Sequence, residues 1–399
     1  SRPFISTQFQ RDRIFKIVST FCVMKPNLMI LSTNRSDFSH LKLIVEKLKS
    51  SKKINTFFVA SGSHFDKEKG YSFEEIKDEG VKVDYKIKTT INWRSEAKLF
   101  NSLVSFQKKL RTLIKMTKTD YIMVLGDRIE LLPVINLSLV MEKKIIHISG
   151  GEETKGAIDD NIRKMLSLNS YIHFVSGEMF KKNLVEFLKT EKRIFNVGDP
   201  ILEYIDSIQI EPFENVLNDL KLDLEKGKYL LFTFHPETKS SIDIKEQFNG
   251  LEKFLLEVDM PVLCTSPNPD KGEEYILKRL KHIISLKKDI SFVPHLGFRK
   301  YISLIKNSFA VMGNSSSLLI ETPYLGVPSI LIGKRQDGRP LADTVFKTGY
   351  QPEEIKSAYN RIKELKVNGY FEKGVKNLFY ERKNTSDLVL KHLEDEIGF

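Results

Sequence analysis

The sequence predicts an α/β protein with two parallel sheets, each covered by helices on both faces, and a cleft between them. Three observations carry this expectation. Short apolar runs alternate with amphipathic segments from Leu28 onward, the rhythm of repeated strand–helix units. The runs number ten, more than one open sheet comfortably holds, and 399 residues suit two domains better than one or four. The unusual polar residues fall at or just after the ends of the runs, which is the edge where open α/β sheets bind ligands. Together these describe two Rossmann-like domains.

The expected strands of the first half are Leu28–Ser32, Thr56–Ala60, Tyr121–Leu125, Lys144–Ile148 and Ile172–Val175. Those of the second half are Tyr229–Phe234, Val262–Thr265, Ile290–Val293, Phe309–Met312 and Ser329–Ile332. The stretch from Gly198 to Lys228 is polar and less periodic, and the domain change is placed there. The chain then divides into an N-terminal extension (1–23), a first Rossmann-like domain (24–200), a second (201–376) and a C-terminal helix (377–399). The helical patterns at Glu353–Lys366 and Asn377–Glu396 fit against either half. Arg2, Arg11, Arg13 and Lys16 precede a short apolar run with no small-residue cleavage site, so an upstream extension ahead of Met24 is expected rather than a signal peptide.

Hydrophobic types make up 41% of the chain and charged types 29%, which excludes the disordered and fibrous classes. No apolar stretch reaches the roughly 18 residues of a membrane helix, and even Leu131–Met141 is interrupted by Pro133, Asn136 and Ser138, so no membrane partner is expected. Cys22 and Cys264 match no metal-ligand or disulfide spacing, and the cytoplasm is the expected compartment. Lys+Arg 63 minus Asp+Glu 52 gives +11, which suits any anionic partner. The basic residues are spread through segments such as Lys42–Lys53 and Lys278–Lys288, with no aromatic-interleaved stripe, so they read as solvated helix faces and not as a nucleic-acid site.

Gly313-Asn314-Ser315-Ser316-Ser317 closes a strand and opens an apolar helix, where backbone N–H groups and hydroxyls at the positive end of the helix dipole suit a phosphate. Glu321, about one and a half turns further on, can accept both hydroxyls of a ribose. Taken alone, the serines fit a plain helix cap equally well. The glycine-flanked basic loop Gly333–Arg339, which contains Arg335, follows the next strand and can neutralise an anion. His235 stands at the same sheet edge, placed to contact a diphosphate or protonate a leaving group, and His295 and Asn268-Pro269-Asp270 share that edge. No GxGxxG or P-loop is present, so neither a dinucleotide cofactor nor ATP hydrolysis is expected.

In the first half, Gly126-Asp127-Arg128 puts a carboxylate and a guanidinium at a strand tip. His147-Ile148-Ser149-Gly150-Gly151-Glu152 follows, its glycine pair allowing close approach of backbone to ligand. Asp159 and Asp160 open a helix, with Arg163 four residues after Asp159, an arrangement that also stabilises a helix by itself. Asp127, Glu152 and Asp159 supply carboxylates without metal-ligand spacing, which points to acid–base chemistry on a sugar and to no metal. His173 is expected in or beside the core, and His40, His282 and His392 on helix surfaces.

With these residues in view, the chain resembles the hydrolysing UDP-N-acetylglucosamine 2-epimerases, which begin sialic acid and legionaminic acid synthesis. The resemblance rests on motif order: Thr33-Asn34-Arg35-Ser36-Asp37-Phe38, Gly62-Ser63-His64, Gly126-Asp127-Arg128, His147–Glu152 with Gly156–Asp160, His235-Pro236-Glu237-Thr238, Gly313–Ser316 and Gly333–Arg339. It covers nearly the whole chain from Met24. Non-hydrolysing relatives typically carry Ser-Gly-Gly where this chain has Asn314-Ser315-Ser316, which favours the hydrolysing branch.

The resemblance implies a GT-B fold with the substrate between the halves. It implies nucleotide contacts from His235, Asn268, Asp270, Ser315, Ser316, Glu321 and Arg335, with Arg35, Ser39 and Arg128 reaching across and His64 and His295 as further binding positions. Asp127, Glu152, Asp159 and His235 are the implied catalytic group. In the family reaction the proton on carbon 2 is removed, the nucleoside diphosphate leaves carbon 1, and water adds to the 2-acetamidoglucal with inversion at carbon 2. No cofactor or metal is implied, because protein donors can stabilise the leaving diphosphate. A homodimer or homotetramer is implied, and the chain is expected to end where the epimerase does, without the kinase domain of the animal enzyme.

Two positions depart from the family pattern. Ser149 stands where a glutamate is frequent, and Glu152 is expected to take its place; Lys164 stands where a histidine is common. A 4-acetamido-6-deoxy sugar or a GDP-linked donor therefore stays open. The rival readings are a GT-B glycosyltransferase, which needs an acceptor, and a non-catalytic nucleotide-sugar sensor, motivated by Ser149.

Overall fold

The computed structural model describes residues 25–66, 71–93, 95–154, 158–237, 239–268, 270–373 and 384–398. The expected extension at 1–23 lies outside them, as do Met24, Gly156, Ala157, Thr238 and Pro269 of the quoted motifs and the first part of the expected 377–399 helix.

Two sheets form, and every strand pairing in both is parallel. The first holds β1 (Asn27–Ser32), β2 (Asn55–Ser61), β3 (Tyr85–Ile87), β4 (Tyr121–Leu125), β5 (Lys144–Ile148), β6 (Ser170–Val175) and β7 (Ile194–Asn196), in the order β3-β2-β1-β4-β5-β6-β7. The second holds β8 (Leu230–Thr233), β9 (Val262–Cys264), β10 (Ile290–Phe292), β11 (Ala310–Gly313), β12 (Ser329–Ile332) and β13 (Val345–Thr348), in the order β10-β9-β8-β11-β12-β13. This is the expected pair of Rossmann-like, GT-B-like halves. The ten expected strands are present. The three that the apolar pattern does not reveal, β3, β7 and β13, all stand at sheet edges. An edge strand has one neighbour and less need of burial on both faces, and Val345–Thr348 contains no fully buried residue.

Strand order reverses between β1 and β4 in the first sheet and between β8 and β11 in the second. At such a reversal the crossovers diverge and leave a crevice beyond the carboxyl ends of the strands. The loops entering those crevices are Thr33–Asn34 after β1, Gly126–Arg128 after β4, Phe234–Glu237 after β8 and Asn314–Ser315 after β11. The first is rigid by construction. Asn34 caps the helix Arg35–Ser50 by accepting from the Asp37 N–H at 3.1 Å, and Asp37 in turn accepts from the Thr33 N–H at 2.9 Å.

The stretch Gly198–Lys228 is not the polar connection that its sequence suggests. Helices Pro200–Ser207 and Phe213–Leu220 bury Ile201, Leu202, Tyr204, Ile205, Phe213 and Val216 in a cluster with Val175 and Ile194 of the first half and Leu231, Val311 and Leu331 of the second. Both helices are short and carry acidic outer faces, so a linear reading averages their apolar stripe away. Helix Pro352–Val367 packs on Ile244–Glu257 in the second half, whereas Thr385–Glu396 returns to the first and packs on Arg35–Ser50 and Pro200–Ser207. Among the described residues no helix is long and apolar enough to cross a membrane.

Gly313, the last residue of β11, shows how tightly the second crevice is built. Its φ is +141°, and a Cβ there would sit 1.8 Å from the Thr233 carbonyl oxygen. Gly313→Ala is expected to destabilise the protein by roughly 3 kcal/mol, because backbone cannot yield as a flexible side chain can. Gly227→Ala, where φ is +74° but nothing lies within 4 Å of the new Cβ, is expected to cost only about 1 kcal/mol. Urea denaturation midpoints of the two variants check this ordering.

Candidate active site

Two adjoining pockets occupy the cleft and share Ser36, His40, His235, Asn268, Ser315 and Ser316. The first is charged. Asp127, Arg128, Glu152, Asp159 and Arg163 face it from the first half, and Asp270, Arg335, Gln336 and Arg339 from the second. The second pocket has apolar walls, Ile201, Pro294, Leu296, Phe298 and Tyr301, with Glu321, Arg35 and Ser39 among its polar groups.

In the charged pocket, the carboxylate of Asp127 is paired with the Arg163 guanidinium, which also donates to the Glu152 carbonyl at 3.1 Å and to Thr154 Oγ1 at 2.9 Å. The i,i+4 partnership expected of Asp159 and Arg163 is thus not made: Arg163 turns to Asp127, and the pair at that spacing is Asp160 with Lys164, 2.9 Å apart. Lys164 is half exposed and lines neither pocket. Asp159 lies 3.9 Å from Arg335 across the cleft. Burial, joined by repulsion from Asp127 and opposed by Arg335, pushes the Asp159 carboxyl up to about 7. Glu152, expected among the proton-transfer acids, has both oxygens engaged, one by Ser176 Oγ at 3.0 Å and the other by Arg339 of the second half. Arg339 is itself held through Gln336, which donates to the Asn314 carbonyl at 2.8 Å. The guanidinium of Arg128 loses solvent on burial, but Glu130, Asp270, Asp37 and Asp159 more than compensate and hold it firmly charged. Among the described residues, Arg163, Arg335 and Arg339 each keep a buried Nε without a hydrogen-bond partner.

Asn314 grips the backbone of His235 from both sides, accepting from its N–H at 2.7 Å and donating to its carbonyl at 2.8 Å. His235 Nδ1 accepts from the Asn268 N–H at 2.9 Å, which leaves Nε2 to carry the ring proton. Burial, then Arg335 and Arg128, hold this imidazole well below its ordinary value. It is therefore neutral near pH 7 and suited to donate a hydrogen bond to an anion, not to serve as an acid. Ser315 caps a single 3-10 turn, Ser316–Leu318, by accepting from Ser317 N–H; the continuous apolar helix expected there is absent, and Glu321 opens a separate four-residue helix, Glu321–Tyr324. Burial, opposed by His40, pushes the Glu321 carboxyl up to about 7. The basic loop is tied down by Glu237, which accepts from the Lys334 and Arg335 N–H groups at 2.9 and 3.1 Å and from the Tyr350 hydroxyl at 2.6 Å.

Two expected binding histidines line neither pocket. His64 is buried, with its ring nitrogens 2.8 Å from Ser32 Oγ and 2.9 Å from Ser72 Oγ, so it braces the loops after β1 and β2. His295 accepts from the Arg35 guanidinium at 2.7 Å and orients it from across the cleft; burial and then Arg35 lower its pKa to about 4. The glycine pair serves packing instead of ligand approach: a Cβ on Gly151, at φ +79°, would sit 2.2 Å from the Phe180 carbonyl oxygen. Conversely, His40 and Asp199 line the charged pocket unannounced, Asp199 as the cap of Pro200–Ser207 through the Ile201 N–H at 3.0 Å. Arg35, Ser36, Ser39 and His40 share one face of their helix, a spacing visible in the sequence. Among the described residues no three His, Cys, Asp or Glu side chains are placed to hold a metal ion.

Two parallel-sheet halves with their switch points opening onto one charged cleft define a GT-B-like protein. The family profile of UDP-N-acetylglucosamine 2-epimerase matches residues 46–394. The GDP/UDP-N,N'-diacetylbacillosamine 2-epimerase (hydrolyzing) of Campylobacter jejuni is 30% identical over 351 residues, covering 86% of this chain and 90% of that protein. The UDP-N-acetylglucosamine 2-epimerase of Neisseria meningitidis serogroup B is 29% identical over 349 residues, covering 88% and 89%. In fold, the crystal structure of a Neisseria meningitidis UDP-GlcNAc 2-epimerase bound to UDP-GlcNAc superposes with a TM-score of 0.77 at 15% identity, over 93% of this chain and 100% of that one. The chain belongs to the UDP-N-acetylglucosamine 2-epimerase family.

The charge environment of Asp159 sets a measurable outcome. Its carboxyl carbon, followed by NMR, is expected to titrate near 7. Asp127→Asn removes a like charge and lowers that midpoint, whereas Arg335→Gln removes a cation and raises it. A midpoint in the ordinary carboxylate range in the unmodified protein contradicts the assignment.

Proposed function

We propose that this family member is a hydrolysing 2-epimerase: it converts a UDP- or GDP-linked 2-acetamido sugar into the free manno sugar and nucleoside diphosphate, in the first step of sialic or legionaminic acid synthesis. The observation that carries the reading is the joining of an apolar-walled slot, ending at Glu321, to a pocket in which a carboxyl group poised near neutrality faces arginines from both halves. The slot fits a nucleoside, the shared residues fit its diphosphate, and the charged pocket fits the sugar. The hydrolysing character is supported by the name of the Campylobacter jejuni relative and by Asn314-Ser315-Ser316.

On this reading the base packs against Leu296 and Phe298, the ribose hydroxyls engage Glu321, and the diphosphate receives hydrogen bonds from Ser315, Ser316 and His235 Nε2 with charge from Arg128 and Arg335. A carboxylate takes the proton from carbon 2 while the bond between carbon 1 and the diphosphate oxygen breaks with its electron pair on the diphosphate. Asp159 and Asp127 are assigned this transfer, Asp159 because a carboxyl raised toward neutrality is the more basic of the groups facing the pocket. Water then bonds to carbon 1 of the glucal and a proton enters carbon 2 from the opposite face. Glu152 positions Arg339 and thereby closes the pocket, and no cofactor is required. Asn268 and Asp270 complete the second-half wall beside the diphosphate.

Product analysis of a small panel of UDP- and GDP-linked acetamido sugars tests this directly. The expected products are free manno sugar and nucleoside diphosphate, with deuterium at carbon 2 when the reaction runs in heavy water. Product still attached to nucleotide, or original hydrogen retained at carbon 2, overturns the hydrolysing elimination. Calorimetry and kinetics separate the two pockets: Glu321→Ala weakens nucleoside diphosphate binding about tenfold, while Asp127→Asn leaves binding near its original value and lowers kcat by roughly a hundredfold or more.

A further inference from the structure

We propose that His40, as an imidazolium, binds the diphosphate where the two pockets meet, so that nucleotide affinity in this protein depends on the protonation of this one side chain. The proposal rests on the nucleotide-sugar reading above. Its starting point is position: His40 lines both pockets, beside Ser36, His235, Asn268, Ser315 and Ser316, although its helical pattern assigns it to the surface.

The hydrogen bonding of the ring leaves one nitrogen for a ligand. His40 Nδ1 donates to the Ser36 carbonyl at 2.9 Å, an acceptor that cannot reverse its role. Nε2 is then the nitrogen that gains or loses a proton. It lies 3.7 Å from Asp199 Oδ1, beyond normal hydrogen-bond length, and so is not committed to that carboxylate. The side chain keeps 19% of its surface open to the cleft, against 3% for Asp199.

Carboxylates face the ring from two elements. Asp199 faces the ring from the start of helix Pro200–Ser207, and Glu321 lies on the second half near enough to feel its charge. Arg339 and Glu152 reach the same group, acting on Asp199 with opposite signs. Burial raises both the Asp199 and Glu321 carboxyls, and the charge of His40 opposes each shift. His235, the other histidine shared by the pockets, is held neutral by burial and by its arginine neighbours. When ribose hydroxyls engage Glu321, the charge of His40 is left to the diphosphate. A lysine or arginine there would stay charged throughout, whereas the charge of an imidazole responds to pH.

Calorimetry with UDP and with GDP on the unmodified protein, His40→Gln and His40→Lys, from about pH 6 to about pH 8.5, tests this across the histidine range. Glutamine can still donate to the Ser36 carbonyl, which limits structural damage. The free nucleotide titrates identically in every experiment, so the ratio of Kd values reports what each variant changes in the complex. An anion binds the protonated form more tightly, so its advantage is lost as pH rises. The expected Gln-to-unmodified ratio is about tenfold at the acid end, one charge-assisted contact, falling toward one at the alkaline end. His40→Lys is expected to match the unmodified protein at the acid end and to bind more tightly at the alkaline end. A ratio of one throughout, or a loss independent of pH, overturns the proposal while leaving the nucleotide site intact. An unmodified protein that binds neither UDP nor GDP overturns the nucleotide-sugar reading and this proposal with it.

Discussion

The arrangement depends on one topological constraint: two all-parallel sheets, each reversing its strand order once, at β1/β4 and at β8/β11. A parallel sheet needs long crossovers, and where successive crossovers go to opposite faces the chain cannot fill the space beyond the strand ends. Four loops converge there by geometry, whatever their sequence. Evolution of a site is then a matter of which side chains those loops and the helix ends after them carry: Ser36 and Asp127 from one sheet, His235 and Ser315 from the other.

Convergence alone leaves a charged cleft unstable. Arginines and carboxylates withdrawn from water cost several kcal/mol each unless they neutralise one another. In this cleft the partners are shared between halves. Arg339 of the second half meets Glu152 of the first, Arg335 approaches Asp159, and Arg35 of the first half meets His295 of the second. In addition, Glu75 accepts from the Phe298 N–H at 2.9 Å and Glu79 engages Arg299, so the approach of the halves is also held by polar ties. The cluster around Tyr204 and Ile201 supplies the apolar part. Closure of the cleft and compensation of its charges are therefore one problem with one solution, which is why Glu152 is better placed to hold Arg339 than to move a proton.

Much of this is legible in the chain. The strands of both sheet centres are buried on two faces and appear as continuous apolar runs, and the residues just beyond them carry the charged and hydroxylated side chains of the cleft. Three of the four edge strands are not legible, because β3 and β13 are only partly buried and the run at β7 is three residues long. His40 escapes notice for a related reason: its helix has one apolar face on the sheet, and pattern cannot tell a face turned to solvent from one turned to a second domain. The pairing of Arg163 with Asp127 escapes because the residues are 36 apart in sequence, and the local i,i+4 geometry offers a plausible but unused alternative.

The sequence by itself determined the α/β class, the division into two parallel sheets, the strand-end placement of Asp127, His235 and Ser315 and the helix-start placement of Asp159, since burial pattern and chain order are local properties. Tertiary structure alone decided which charges face one another: that Asp159 rises toward neutrality beside Asp127, that Glu152 is occupied by Arg339, that His64 and His295 brace their neighbours from outside the pockets, and that His40 stands where the pockets join. The physical reason is that pKa values and ion pairs depend on distance and burial in space, and no periodicity along the chain encodes the approach of one sheet edge to another.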